Sequence, residues 1–363
     1  MKKYIVFFLT AYLSLVILSV SAFAEESVGD FVFEPSPFGS EQVLIKCNSQ
    51  DETVVIPSEY NGITVRATDF AYYRIFKDCM SAKKIVLPDT LLSCGNKYSF
   101  VPYTSDGINS TYGEIEFNQW GNGEYLGTAD NPYYALVGVI DVNITEFVMH
   151  NDAEIIGHHA FYGCEQLRKI TVSENLKSIS ENGLQLSYEE HYYDSRLEYN
   201  EYGNCLYLGT ADNPYYALIK PVTEKVDGQE IRFKKPAGIH PDTEFIGRFY
   251  NGLSDTELVI PKSVKAMGWY ALSNAENAKV YFEADGEDAL LYPLYNPERS
   301  DSVELSWGYV TSQEEPSSVD SSSTDESDDD VKDNDHWVYI SVAAAAVILL
   351  TAVLILKGRK NSK

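Results

Sequence analysis

The strongest constraint on this chain is an offset of 23 residues between like segments. Glu146-Phe147-Val148-Met149 returns as Lys169-Ile170-Thr171-Val172, and on the same offset Ala153 meets Leu176, Ile156 meets Ile179 and Phe161 meets Leu184. Apolar positions fall on apolar positions each time. A unit this short cannot bury its own apolar face and has to stack on copies of itself, so the chain is expected to form a solenoid. Each rung would bury two or three aliphatic side chains, worth roughly 1.5–3 kcal/mol each. That offsets the ordering entropy only when several rungs stack.

The unit recurs elsewhere. His150-Asn151-Asp152-Ala153-Glu154-Ile155-Ile156-Gly157 is similar to His240-Pro241-Asp242-Thr243-Glu244-Phe245-Ile246-Gly247, and Phe161-Tyr162-Gly163-Cys164 to Phe76-Lys77-Asp78-Cys79. Strand ends are expected near Ile56, Leu87, Met149, Val172, Ile239, Ile260 and Phe282. Pro57, Pro88 and Pro261 stop three of them, because proline cannot donate to a ladder. Gly157, Gly247 and Gly268 fall at the following bend, where a positive φ or a close backbone approach is expected.

Two stretches carry a family resemblance. Val54 to Val65 resembles the opening of a BspA-type leucine-rich repeat. Ile156-Gly157-His158-His159-Ala160-Phe161-Tyr162-Gly163-Cys164-Glu165-Gln166-Leu167, running into Lys169-Ile170-Thr171-Val172, resembles its central motif. The resemblance spans about Val43 to Phe282. It implies a β-rich, right-handed solenoid with parallel strands, of a kind found on bacterial surface proteins, many of them regarded as adhesins or binding proteins. The chain departs from the pattern through few regular rungs and long insertions, at 98–140 and 185–236.

One inserted element is duplicated. Tyr125-Leu126-Gly127-Thr128-Ala129-Asp130-Asn131-Pro132-Tyr133-Tyr134-Ala135-Leu136 is identical to Tyr207 through Leu218, and the likeness runs back to Glu116 and Glu198. Each copy reads as a β-hairpin or strand pair, with Ala129-Asp130-Asn131-Pro132 and its copy as turn residues and Phe117, Trp120 and Tyr125 packing around it. One reading makes it a repeated ligand site, with Trp120 or Tyr202 as a stacking platform for a sugar or peptide. The other makes it a spacer whose Asn131 and Asn213 bond their own backbone while the tyrosines cover a solenoid edge. Tyr188, Tyr192 and Tyr193 lie in a polar insertion and suit a recognition surface. Packing on the neighbouring hairpin accounts for them equally well. Trp120, Tyr188, Tyr192, Tyr193 and Tyr202 are the candidate ligand-binding residues.

The ends set an expected location. Lys2 and Lys3, an apolar run from Tyr4 to Val20 and Ala22-Phe23-Ala24 read as a signal peptide over 1–24. An uncharged apolar run from Val338 to Leu356 is long enough to cross a bilayer core of ~30 Å, so 337–356 reads as one transmembrane helix. Lys357, Arg359, Lys360 and Lys363 make 357–363 a basic tail, which puts the C-terminus in the cytoplasm and the N-terminal ectodomain, 25–310, outside. Between them, 311–336 is rich in Ser and Asp and reads as a disordered, charge-extended stalk.

The search for chemistry points away from catalysis. With 54 acidic against 28 basic residues and a net charge of −26, the chain would repel phosphate, and no nucleic-acid partner is expected. The five cysteines include no C-x-x-C pair, which argues against a zinc finger or thioredoxin-like site. Cys79 and Cys164 share one slot of the repeat, and with Cys94 they read as small buried apolar side chains. Cys47 and Cys205 have no assigned role, and disulfide pairing is open. His158 and His159 read as exposed turn positions. No catalytic residue, cofactor or metal ligand is assigned, and no fingerprint of a hydrolase, P-loop or dinucleotide fold occurs. The expected function is binding: a cell-membrane, single-pass adhesion module that recognises a protein or glycan at a cell surface. The rivals are an envelope scaffold acting on a membrane partner and a surface hydrolase with its site in the insertions.

Overall fold

The structure, a computed structural model, describes residues 26–28, 30–35, 42–68, 75–105, 110–187, 196–226, 230–247, 253–268, 271–272, 275–291 and 302–310. The chain divides into Met1–Thr311 and Ser312–Lys363, and every described residue lies in the first part. The leader, stalk, span and tail read above lie outside the described residues, as do Tyr188, Tyr192 and Tyr193. Among the described residues no helix is long and apolar enough to cross a membrane.

The described residues form a β-solenoid of about ten turns. The offset of 23 residues is the register of its rungs. Glu146–Val148 lies parallel to Lys169–Thr171, with Glu146 opposite Lys169, Phe147 opposite Ile170 and Val148 opposite Thr171. Ile155–Ile156 lies parallel to Ser178–Ile179, with Ile156 opposite Ile179. Each rung thus supplies two short strands to two separate sheets. The alternation of a strand decides which side chains face in: Phe147 and Met149 are buried, as is Ile170 opposite Phe147, while Val148 between Phe147 and Met149 points out and is exposed. The same parallel pairing joins Thr53–Val55 to Lys84–Val86, and Glu257–Ile260 to Lys279–Phe282 and then Glu304–Trp307.

The turn after the strand is also repeated. Cys164 N–H donates to the Phe161 carbonyl at 3.1 Å and Leu167 N–H to the Cys164 carbonyl at 3.0 Å; Cys79 to Phe76 at 3.0 Å and Ala82 to Cys79 at 2.9 Å copy it. The phenylalanine and cysteine of both turns are fully buried.

Of the two roles expected at Gly157, Gly247 and Gly268, positive φ is found at none. Close approach holds at Gly157, where a Cβ would lie 2.7 Å from the Gly95 carbonyl oxygen and 2.9 Å from that of Leu136, and at Gly247, where it would lie 3.0 Å from the Leu218 carbonyl oxygen; at Gly268 the contacts, from 3.4 Å, are ordinary. One expectation needs correction. No strand ends at Ile239. The positions matching Glu146–Val148 there are Pro236, Ala237 and Gly238, and a proline without N–H at one end and a glycine at the other weaken any ladder. The other strand ends fall within one residue of their expected places.

The two duplicated elements are three-stranded antiparallel meanders, each continued by parallel rungs. Asn118–Trp120, Gly123–Leu126 and Ala135–Val139 run antiparallel, then Ile155–Ile156 and Ser178–Ile179 join in parallel. Asn200–Tyr202, Cys205–Leu208 and Ala217–Pro221 do the same, followed by Phe245–Ile246 and Ala266–Met267. A third meander stands at the start of the described chain: Glu26–Val28, Phe31–Pro35 and Gln42–Cys47, joined in parallel by Ile63–Thr68. All three carry a register shift at the same place, between Val32 and Phe33, Glu124 and Tyr125, and Leu206 and Tyr207. The buried aromatic at each shift, Phe33, Tyr125 or Tyr207, anchors one of three apolar cores that follow one another along the stack.

Candidate functional site

The turn of each duplicated meander is held by its own side chains and by the next rung. Thr128 Oγ1 accepts from Asn131 N–H at 3.1 Å, Asn131 Oδ1 accepts from Tyr133 N–H at 3.0 Å, and Asn131 Nδ2 donates to the Asp152 carbonyl at 2.7 Å. The second copy repeats these with Thr210, Asn213, Tyr215 and Asp242 at 3.0, 3.0 and 2.7 Å. Gly127 is required because a Cβ would lie 2.6 Å from both the Asn131 carbonyl oxygen and Pro132 Cα. Asn118 and Asn200 tie the outer strand to the turn through the Pro132 and Pro214 carbonyls, at 2.7 and 2.8 Å. The Tyr134 hydroxyl reaches the Asp89 and Leu91 carbonyls, and the Tyr216 hydroxyl those of Glu174 and Leu176. Turn asparagines and second tyrosines therefore have scaffold work.

One part of the element has none of these duties. On the outer strand of each meander an aromatic side chain stands over a histidine. Trp120 meets the His150 ring at 5.1 Å and 87°, and Tyr202 meets His240 at 4.8 Å and 80°. The histidine is also held by a second ring: Tyr133 stacks on His150 at 3.9 Å, and Tyr215 on His240 at 4.0 Å. Its backbone is fixed too, because His150 N–H donates to the buried Tyr125 hydroxyl at 3.1 Å and His240 N–H to that of Tyr207 at 3.2 Å. His150 Nδ1 accepts from Asp152 N–H at 3.1 Å, with the Asp152 carboxylate 3.8 Å away; His240 and Asp242 match this at 3.2 and 3.8 Å. Trp120 and Tyr202 remain 39% and 42% exposed. The result, twice over, is a half-exposed ring on a preorganised three-ring stack with an exposed carboxylate beside it.

Beside the second copy lies an open groove of about 310 Å³, lined by Asp212, Asn213, Asp242 and Glu244 among others. Asp242 belongs to both groove and ring stack. Lys265 ion-pairs with Glu244, as Lys177 does with Glu154 in the first copy at 2.6 Å, so part of the acidic charge is balanced. A planar face flanked by acceptors suits stacking against a sugar ring or an aromatic or cationic peptide side chain.

Burial pushes the Tyr125 phenol up to about 12, so it remains a hydroxyl at every physiological pH. Tyr125→Phe removes the acceptor of the His150 N–H. The expected loss is about 1–2 kcal/mol in urea unfolding, with faster exchange of that amide. An unchanged exchange rate would show that the histidine is not held this way.

The structure brings Trp120 and Tyr202 to matching positions rather than to one site. Phe117 is half-buried against the preceding core and takes no part in the ring stack. Sequence reasoning missed His150 and His240 as members of the cluster. Their signal was the repeated His-x-Asp-x-Glu, which had registered only as a sign of periodicity.

His158 and His159 are not exposed, as the sequence had suggested, but 6% and 8% exposed. Their rings lie 4.0 Å apart. His158 Nδ1 lies 2.6 Å from the Glu181 carbonyl oxygen and so carries the proton; His159 Nε2 lies 2.8 Å from the Gln185 amide oxygen. The next rung supplies both partners, which is why this polar pair is buried without being orphaned. All five cysteines are buried free thiols. Among the described residues no group of three or more His, Cys, Asp or Glu side chains is gathered to hold a metal ion.

Residues 140–198 match the family model of the BspA type leucine rich repeat region, a model that the chain matches in six copies. A leucine rich repeat protein of T. pallidum is similar at 14% identity, over 71% of this chain and 86% of that one, with a TM-score of 0.24. A leucine rich cell surface protein of Faecalibacterium prausnitzii A2-165 is similar at 11% identity, over 74% and 79%, with a TM-score of 0.22. A leucine-rich repeat protein of Bacteroides ovatus ATCC 8483 is similar at 14% identity, over 78% and 79%, with a TM-score of 0.21. No curated protein matches.

Proposed function

The chain carries BspA-type leucine-rich repeats, and on that premise we propose that it is a binding module of a bacterial cell surface that recognises a protein or glycan through its rigid repeat scaffold. The observation that carries this reading is the doubled ring stack. Trp120 and Tyr202 are half-exposed aromatics held over a fixed histidine, and the scaffold bonds of the turn do not involve them. A rigid aromatic anchor binds at low entropy cost. The acidic excess favours a neutral or cationic ligand over a polyanion.

The same reading completes the molecule. A signal peptide over 1–24 exports it, the solenoid coils right-handed, an acidic stalk over 311–336 spaces it from the bilayer, and a helix over 337–356 holds it there with the C-terminus inside. Tyr188, Tyr192 and Tyr193 extend the recognition surface. The module binds and does not turn over its ligand.

The test is binding of the labelled full-length protein, in detergent, to an array of host glycans, mucins and matrix proteins. Saturable binding that falls at least ~10-fold in Trp120→Ala with Tyr202→Ala is the expected result. Binding that survives those changes but falls in Tyr192→Ala with Tyr193→Ala would keep the function and move the site. A blank array would overturn surface recognition and favour an envelope scaffold, whose partner lies in the bacterium's own membrane.

A further inference from the structure

The first core holds two cysteines on adjoining segments. Cys47 ends the strand Gln42–Cys47, and Cys79 closes the first Phe-x-x-Cys turn. The segments carrying them are fastened side by side: Cys47 N–H donates to the Ile75 carbonyl at 2.7 Å, Gln50 Nε2 to the Asp78 carbonyl at 3.1 Å, and Lys46 Nζ lies 3.6 Å from the Asp78 carboxylate. Ser49 N–H points at Cys47 Sγ at 3.4 Å. Both thiols are 0% exposed and belong to the same apolar core.

From this juxtaposition we infer that Cys47 and Cys79 are a disulfide-forming pair that clasps the N-terminal meander to the first rung. The end of a solenoid is where such a clasp matters, because a terminal repeat has a neighbour on one side only and frays first. The inference rests on the export reading for its oxidising compartment, not for its geometry.

The chemistry needs a two-electron oxidant of the disulfide class, such as oxidised glutathione or an extracytoplasmic thiol oxidase. The Cys47 thiolate attacks one sulfur of the oxidant and expels the other as a thiol. The Cys79 thiol then loses its proton and attacks Cys47 Sγ, forming the bond and releasing the second thiol. Two protein thiols are oxidised and one external disulfide is reduced to two thiols. The hydrogen bond with Cys79 holds the Cys47 thiol below the ordinary cysteine range, against burial, and the same bond with burial pushes Cys79 up. That asymmetry suits Cys47 to the first attack. Burial is the largest cause at Cys94, Cys164 and Cys205, which are pushed up to about 12, 11 and 12.

The test refolds the reduced full-length protein in detergent with oxidised and reduced glutathione, traps free thiols with N-ethylmaleimide and maps peptides by mass spectrometry. The expected result is one linked peptide joining Cys47 to Cys79, 2 Da lighter than its reduced parts, with Cys94, Cys164 and Cys205 alkylated. A melting temperature raised by about 5 °C, and restored by dithiothreitol, should accompany it. Cys47→Ala and Cys79→Ala should each abolish both signals. Cys47 and Cys79 both alkylated after oxidation, or either joined to another cysteine, would overturn the pairing. A bond that forms on refolding but is missing from protein trapped in its own cells would leave the pairing intact and overturn export to an oxidising compartment.

Discussion

Phe161→Ala is expected to cost about 3–5 kcal/mol of the stability of the middle repeats. The ring is fully buried and meets Phe147 edge-on at 5.0 Å and 83°, in the core that also holds Ile156, Ile170 and Leu176. Deleting it removes the transfer energy of the ring and leaves a cavity that backbone pinned on both sides cannot close. The turn containing it is held by Cys164 and Leu167, and Gly157 nearby has carbonyl oxygens against its Cα. Stability in a stack is local to neighbouring rungs, so the loss should appear in hydrogen exchange across the strands Glu146–Val148 and Lys169–Thr171 as well as in the urea midpoint. A loss under about 1 kcal/mol would mean that the rung collapses around the missing ring.

The second large effect is an acid transition set by His158. Burial lowers it to about 4, the neighbouring His159 adds to the lowering, and the bond to the Glu181 carbonyl opposes it. His159 is lowered too, chiefly by burial, against its bond to Gln185 and the charge of Glu181. Between its ordinary value of 6.5 and about 4, an unfolded chain takes up a proton at His158 that the folded chain refuses. The unfolded state therefore binds more protons, and stability falls as pH falls through that window. At about 1.36 kcal/mol per unit, the loss from His158 approaches ~3 kcal/mol near pH 4. The check is thermal melting from pH 7.5 to 4 for the wild type against His158→Asn, whose side-chain amide can still donate to the Glu181 carbonyl. The difference between the two curves isolates the histidine from the many carboxylates that titrate in both. Parallel curves would rule out this origin.

Much of the scaffold was legible in one line of the chain because a stacked repeat writes its spacing directly into the sequence. The offset that pairs Phe147 with Ile170 and Ile156 with Ile179 is visible without coordinates, since each position must present an apolar side chain to the same core. The duplicated turns were legible for a similar reason. Gly127, Thr128 and Asn131 are required by local backbone geometry and local bonds.

The first meander was not legible. Glu26–Val28, Phe31–Pro35 and Gln42–Cys47 share the register shift of the other two but scarcely a residue of their sequence. A meander asks only for alternation and one large buried ring at the shift, and Phe33 serves there as well as Tyr125. The fate of polar side chains was hidden for a different reason. His158 looked like a surface residue because its burial depends on Glu181 and Gln185, which reach the pair from the next rung.

The sequence by itself determined the solenoid, its rung spacing, the two like hairpins and the acidic charge that turns polyanions away. Those properties depend on residue type at fixed separation, or on a sum over residues. Tertiary structure alone decided that Trp120 stands over His150, that Tyr202 stands over His240, and that Cys47 and Cys79 come to adjoining segments of one core. Each of these pairs is about thirty residues apart or more along the chain. It meets only because stacked rungs return the backbone to the same place, and no local rule of spacing or chemistry obliges those two side chains to point at each other.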